Sequence, residues 1–251
     1  MSPLVRAAFL LGAGTLGGAL GSAGAITSLV SYPALIVAGV QPLAANVSNI
    51  VAATALWPGS ALASRPELRG RKAWLARHLP AAGAGAAIGV ALLLLTPATS
   101  FADIVPFLVA AGSLALLFSP MITGHAGESG PIPEWALQAT ILLVSVYAGY
   151  FGAASGVMTL ALLLIAVTPR LPNANALKNM VIGAGSLIAS VALIALHPIE
   201  WSITLPLACG MLAGSILGPH VTRRVSPAMM RPLVAAVGLA LAVQLWLSHG
   251  T

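Results

Sequence analysis

Apolar residues in this chain run in long unbroken stretches, without the alternation of a half-buried strand or the one-sided periodicity of a soluble helix. The stretches cover residues 4–38, 43–63, 73–96, 102–120, 134–168, 173–196, 200–218 and 228–247. A bilayer core needs about 20 consecutive apolar residues for one helical crossing, so most of these predict a single membrane-spanning helix. Two of them, 4–38 and 134–168, are too long. At about 1.5 Å per residue each would make a helix near 50 Å, against a hydrocarbon core of about 30 Å. Both contain a glycine cluster, "GSAG" at 21–24 and "GYFGAASG" at 149–156. Glycine clusters favour turns and helix breaks, so each stretch is expected to be a hairpin of two helices or a re-entrant pair.

The same landmarks occur twice. "QPLAANVSNIV" (41–51) lies over "LPNANALKNMV" (171–181), pairing Pro42 with Pro172, Ala44 with Ala174, Asn49 with Asn179 and Ser48 with Lys178. "WLARHLP" (74–80) recurs loosely as "WSITLP" (201–206), and the Gly- and Pro-rich "TGHAGESGPIP" (123–133) separates the copies. An internal duplication of this kind divides the chain into an N-terminal repeat (1–122), a linker (123–133) and a C-terminal repeat (134–251).

Composition narrows the class. The chain is 59% hydrophobic and 6% charged, where a soluble domain carries roughly 25% charged residues. So few charged side chains cannot cover this much apolar surface in water. The lone Cys209 excludes an internal disulfide or a thiolate cluster, and no pair of histidines stands at ligand spacing. The net charge of +6 is no anion preference in itself, because most basic residues fall in the two loops 65–77 and 220–231. The positive-inside bias places both in the cytoplasm. Counting spans from each loop, the two repeats run in opposite orientations only if 4–38 and 134–168 are hairpins. The fold expected is an all-α polytopic membrane protein of two inverted repeats. Each is a broken-helix hairpin plus three transmembrane helices, giving about eight to ten membrane segments in a bacterial-type plasma (inner) membrane.

Inverted repeats with discontinuous helices place a transport site where the repeats meet. If helices restart near Gly24 and Gly156, their free N–H groups and positive dipole ends suit an anion. Ser22, Thr27 and Ser28 in one half, and Gly152, Ser155 and Thr159 in the other, add small residues and hydroxyls at the breaks. Such residues also serve close helix packing. Lys178 lies about 9 Å into a helix that starts at Pro172, where an unpaired charge is costly. It either snorkels to the surface or faces a cavity as an ammonium donor. Asn175 and Asn179 share its helix face, and Asn46 and Asn49 form a similar pair in the first half. Glu67, Asp103, Glu128, Glu134 and Glu200 sit at segment ends, so a buried carboxylate offers no coupling route. His197 and His220 flank spans.

Taken together, "GYFGAASGVMTLALL", "NANALKNMV", and the weaker first-half "GSAGAITSLVSYPALIVAG" with "AANVSN" resemble the sulfite exporter TauE/SafE family over nearly the whole chain. The resemblance implies a membrane permease for sulfur-containing or organic anions such as sulfite, thiosulfate, sulfoacetate and other sulfonates. The expected partners are that small anionic substrate and the lipid bilayer, with a homodimer left open and neither nucleic acid nor cofactor called for. Two other readings stand beside a secondary transporter. One is a passive anion channel. The other is an intramembrane serine hydrolase, because "AASG" (153–156) approaches a GxSG motif. A serine with no base in reach is a weak nucleophile.

Overall fold

The computed structural model describes residues 2–24, 26–124, 132–222, 236, 239–240 and 242–247. The expected loop 220–231, most of the linker 123–133, Glu128, His249 and the start of segment 228–247 lie outside the described residues, wholly or in large part.

Every described element is helical. In the first half the order is α1 (Pro3–Gly24), α2 (Thr27–Val37), α3 (Pro42–Ala53), α4 (Leu56–Ala63), α5 (Lys72–Leu95) and α6 (Ala98–Gly124). The second half adds α7 (Glu134–Tyr150), α8 (Ser155–Ala166), α9 (Leu171–Leu196) and α10 (Trp201–Thr222). Three helices among the described residues are long and apolar enough to cross a membrane: Pro3–Ser22, Lys72–Leu95 and Leu171–Leu196. Their outer faces carry large apolar side chains in the open, among them Leu16, Leu95 and Val191, as do Leu143 of α7 and Leu205 of α10. In water such a surface would be a liability. Against lipid tails it is neutral, and the chain is an integral membrane protein.

Both long apolar stretches are broken where glycine clusters. In the first, α1 ends at Gly24 and α2 begins at Thr27. In the second the turn is visible in detail. Gly152 takes φ +81°, and its N–H donates to the Tyr147 carbonyl at 3.2 Å to end α7. Ala154 then caps α8 in the left-handed region at φ 61°, the only non-glycine residue with positive φ among those described. That conformation costs an L-residue about 1–2 kcal/mol. The turn is held by Phe151, which is buried and packs edge-on to Tyr32 of α2 with ring centroids 5.2 Å apart.

A third break was not evident from the sequence pattern. Segment 43–63 is two helices, parted at Thr54–Ala55. Thr54 holds the interruption against α9: its hydroxyl donates to the Ser186 carbonyl at 3.1 Å and lies 2.6 Å from Ser190 Oγ.

Helices from the two halves pack through small residues. On α1, Gly14 and Gly18 meet the backbone of Leu207 and Met211 on α10, while Gly210 and Gly214 of α10 meet Leu11 and Thr15. On α5, Gly85 and Gly89 meet Leu142 and Val146 of α7, and Gly149 of α7 meets Ala86. Spacing of four residues puts each pair on one helix face, and the missing side chains let backbones approach closely. Gly18→Val should overpack the α1–α10 contact, at a cost of about 1–3 kcal/mol. It is expected to lower the melting temperature in detergent. Gly12→Val, at a glycine with open space beside it, should leave the melting temperature unchanged.

Candidate functional site

A helix end buried among other helices leaves its last carbonyls with little water to satisfy them. At the end of α1 these acceptors belong to Gly21 and Ser22. Three side chains of α9 reach them. Lys178 Nζ donates to the Gly21 carbonyl at 3.0 Å, Asn175 Nδ2 to the Ser22 carbonyl at 2.9 Å, and Asn179 Nδ2 more weakly to the same oxygen at 3.5 Å. The end of α7 is treated in kind from the first half, where Asn46 Nδ2 of α3 donates to the Tyr150 carbonyl at 2.8 Å. Each half therefore caps the broken helix of the other. Asn49 turns elsewhere and accepts from Ser31 Oγ of α2.

The positions of α3 and α9 follow from their starts. Pro42 and Pro172 both lie in the first turn, where a missing N–H is harmless. The asparagines follow within the next two turns, level with the breaks.

Between these elements lies a cavity of about 830 Å³, its mouth included. Ser22 of α1, Thr27 and Ser28 of α2 and Asn49 of α3 line one side; Gly152, Ser155 and Gly156 of the second break and Lys178 and Asn179 of α9 line the other. The two breaks approach one another here, since a methyl added at Gly152 would sit 3.9 Å from Ser28 Oγ. Four sequence candidates fall elsewhere. Asn46 and Asn175 act as caps behind the wall, Thr159 lies one turn into α8, and Gly24 ends α1.

The hydroxyls are less free than their number implies. Ser22 Oγ donates to the Ala19 carbonyl, Ser155 Oγ to Gly152 and Thr159 Oγ1 to Ser155, at 2.8–3.1 Å. Ser22 and Ser155 therefore meet the cavity as acceptors. Of the lining residues picked out in the sequence, those with donors left for a ligand are Lys178 (its remaining N–H bonds), Asn179 (its amide), Thr27 and Ser28 (their hydroxyls). None of the lining residues carries a carboxylate. Lys178 is 2% exposed, so it lies in the wall and not at the surface.

Sequence reasoning passed over a pair made by a buried histidine and an exposed glutamate. His78 on α5 is stacked on Trp74, with Nδ1 2.8 Å from the Trp74 carbonyl and Nε2 3.2 Å from Glu134 Oε1 at the start of α7. It lies apart from the cavity. His197 caps α9 at its far end. Neither histidine lines the cavity with Ser155, whose hydroxyl is already committed to Gly152.

Apolar helices broken at glycine clusters, with a cavity at the breaks and a buried lysine in its wall, are the features of a membrane transport protein. Comparison with known proteins agrees: the description "Sulfite exporter TauE/SafE" matches residues 6–245. This chain belongs to that family; it is a membrane transporter and not an enzyme. It is 23% identical over 256 residues to the "Probable membrane transporter protein ORF9" of Sinorhizobium sp., covering 96% of this chain and 97% of the relative. No solved structure matches it.

The reciprocal caps make a paired prediction. Asn175→Leu is expected to speed amide hydrogen exchange at residues 20–24 about fivefold, the effect of losing about 1 kcal/mol of hydrogen bonding, and to spare 148–152. Asn46→Leu should do the converse. Mass spectrometry of the two peptides reads both.

Proposed function

We propose that this chain is a secondary transporter of small anions, above all sulfite, sulfonates or related sulfur oxyanions. It works by alternating access, with its site between two inverted repeats. The observation that carries the reading is Lys178, a buried lysine on the wall of a cavity without carboxylates. A cation in hydrocarbon is tolerated when it is paired or functional. Here one N–H bond of Lys178 is spent on the Gly21 carbonyl and the others are available to an anion. Charge-assisted hydrogen bonds to an oxyanion are about twice as strong as neutral ones.

The repeat arrangement, 1–122 and 134–251 joined by 123–133, draws support from two features. The α1–α10 contact has its counterpart in the α5–α7 contact, with small residues at matching spacing. The reciprocal caps tie each broken helix to the opposite half. Rocking of one half against the other would open the cavity alternately to each side, as in other inverted-repeat carriers. With loops 65–77 and 220–231 in the cytoplasm, the protein would sit in a bacterial-type plasma membrane.

Counterflow in liposomes tests the proposal. Vesicles loaded with unlabelled sulfite should accumulate labelled sulfite transiently, and a sulfonate should compete. Lys178→Ala is expected to slow this by about tenfold or more, with the variant still monodisperse and helical by size exclusion and circular dichroism. Flux without counterflow would mark a channel. Unchanged counterflow by Lys178→Ala would confine the lysine to capping α1.

A further inference from the structure

The third break, at Thr54–Ala55, delivers a residue that the site described so far does not use. Trp57 stands in the first turn of α4 and lines the same cavity as Lys178 and Asn179. Its indole Nε1 is buried and has no hydrogen-bond partner among the described residues. Buried donors are almost always paired, so an orphan donor on a cavity wall calls for an explanation.

The ring is held in place. It packs against Gly183 of α9 so closely that a Cβ there would overlap the ring atoms. Gly183 lies four residues after Asn179 and so on the same face of α9. The Thr54 bonds to α9 fix the break from which α4 restarts. Trp57 is thereby preset over the helix face that carries the cavity's polar donors.

We infer that Trp57 is a specificity-determining residue, donating its indole N–H to an oxygen of the transported anion. This rests on the transport reading above. An indole N–H can donate and never accept. It therefore favours a fully deprotonated oxyanion, whose oxygens only accept, over an acid that presents an O–H to it. Ile50, Leu56 and Ile182 share the wall and would receive the carbon side of a sulfonate.

Trp57→Phe keeps an aromatic ring and removes the donor. In liposome counterflow with sulfite and with methanesulfonate, the half-saturation concentration is expected to rise about tenfold, the usual weight of a hydrogen bond to a charged group, while the maximal rate stays within about twofold. Gly183→Ala, which keeps the N–H and displaces the ring, should raise it likewise. A second readout does not depend on flux. In protein labelled with ¹⁵N-tryptophan in detergent, methanesulfonate should move the Trp57 indole signal downfield, and chloride at equal ionic strength should not. An unchanged half-saturation concentration in Trp57→Phe, or a stationary indole signal in protein that transports, overturns the inference. If Trp57→Phe does not fold, the signal is assigned by elimination with the other four tryptophans and decides alone. If wild-type protein shows no counterflow, the transport reading fails, and the same titration still tells whether Trp57 meets an anion.

Discussion

The structure depends on satisfying helix ends where no water is at hand. A break buried away from water exposes carbonyls that cost up to several kcal/mol each when left unpaired. The chain meets this at α1 with Lys178, Asn175 and Asn179, and at α7 with Asn46. Both sets of donors come from helices of the opposite half. The consequence is mechanical as well as energetic, because the ends that must be capped become the points where the halves are joined. Polar side chains concentrate at that junction because the breaks require them. The cavity forms beside them because two helices stop short there.

Close packing does the remaining work of bringing the breaks together. Without a hydrophobic driving force between helices in lipid, contact depends on shape and on small residues. The glycines of α1 and α10, and of α5 and α7, bring backbones to near touching distance. That leaves the breaks opposite one another, with Ser28 beside Gly152. A side chain at any of these glycines would force the helices apart.

The helical membrane class, both glycine breaks and nine of the residues that line the cavity are legible in the sequence. The reason is that membrane chemistry leaves few explanations for glycine, asparagine and lysine inside apolar runs. What stays hidden is direction. Asn175 and Asn179 look alike on a helix face, yet one caps α1 behind the wall and the other lines the cavity as well. Ser22 and Ser155 read as donors, but their hydrogens go to local carbonyls, an option every helical serine has. The break at Thr54–Ala55 has no glycine to announce it, being held by hydroxyl contacts with residues more than 130 positions away. Trp57 and the His78–Glu134 pair go unseen for the same reason. Their roles are set by neighbours distant in sequence.

In the aligned sequence motifs Ser48 of α3 stands where α9 has Lys178, and both are buried, but of the two only Lys178 lines the cavity. One lysine is enough to neutralise a single small anion, and its attachment to the Gly21 carbonyl ties the charge to the first break. An anion that competes for Lys178 therefore acts on the cap that holds α1 to α9. On the proposed reading, substrate binding and the contact between the halves share one side chain. That is the simplest way for a ligand with no other lever to bias a two-state scaffold.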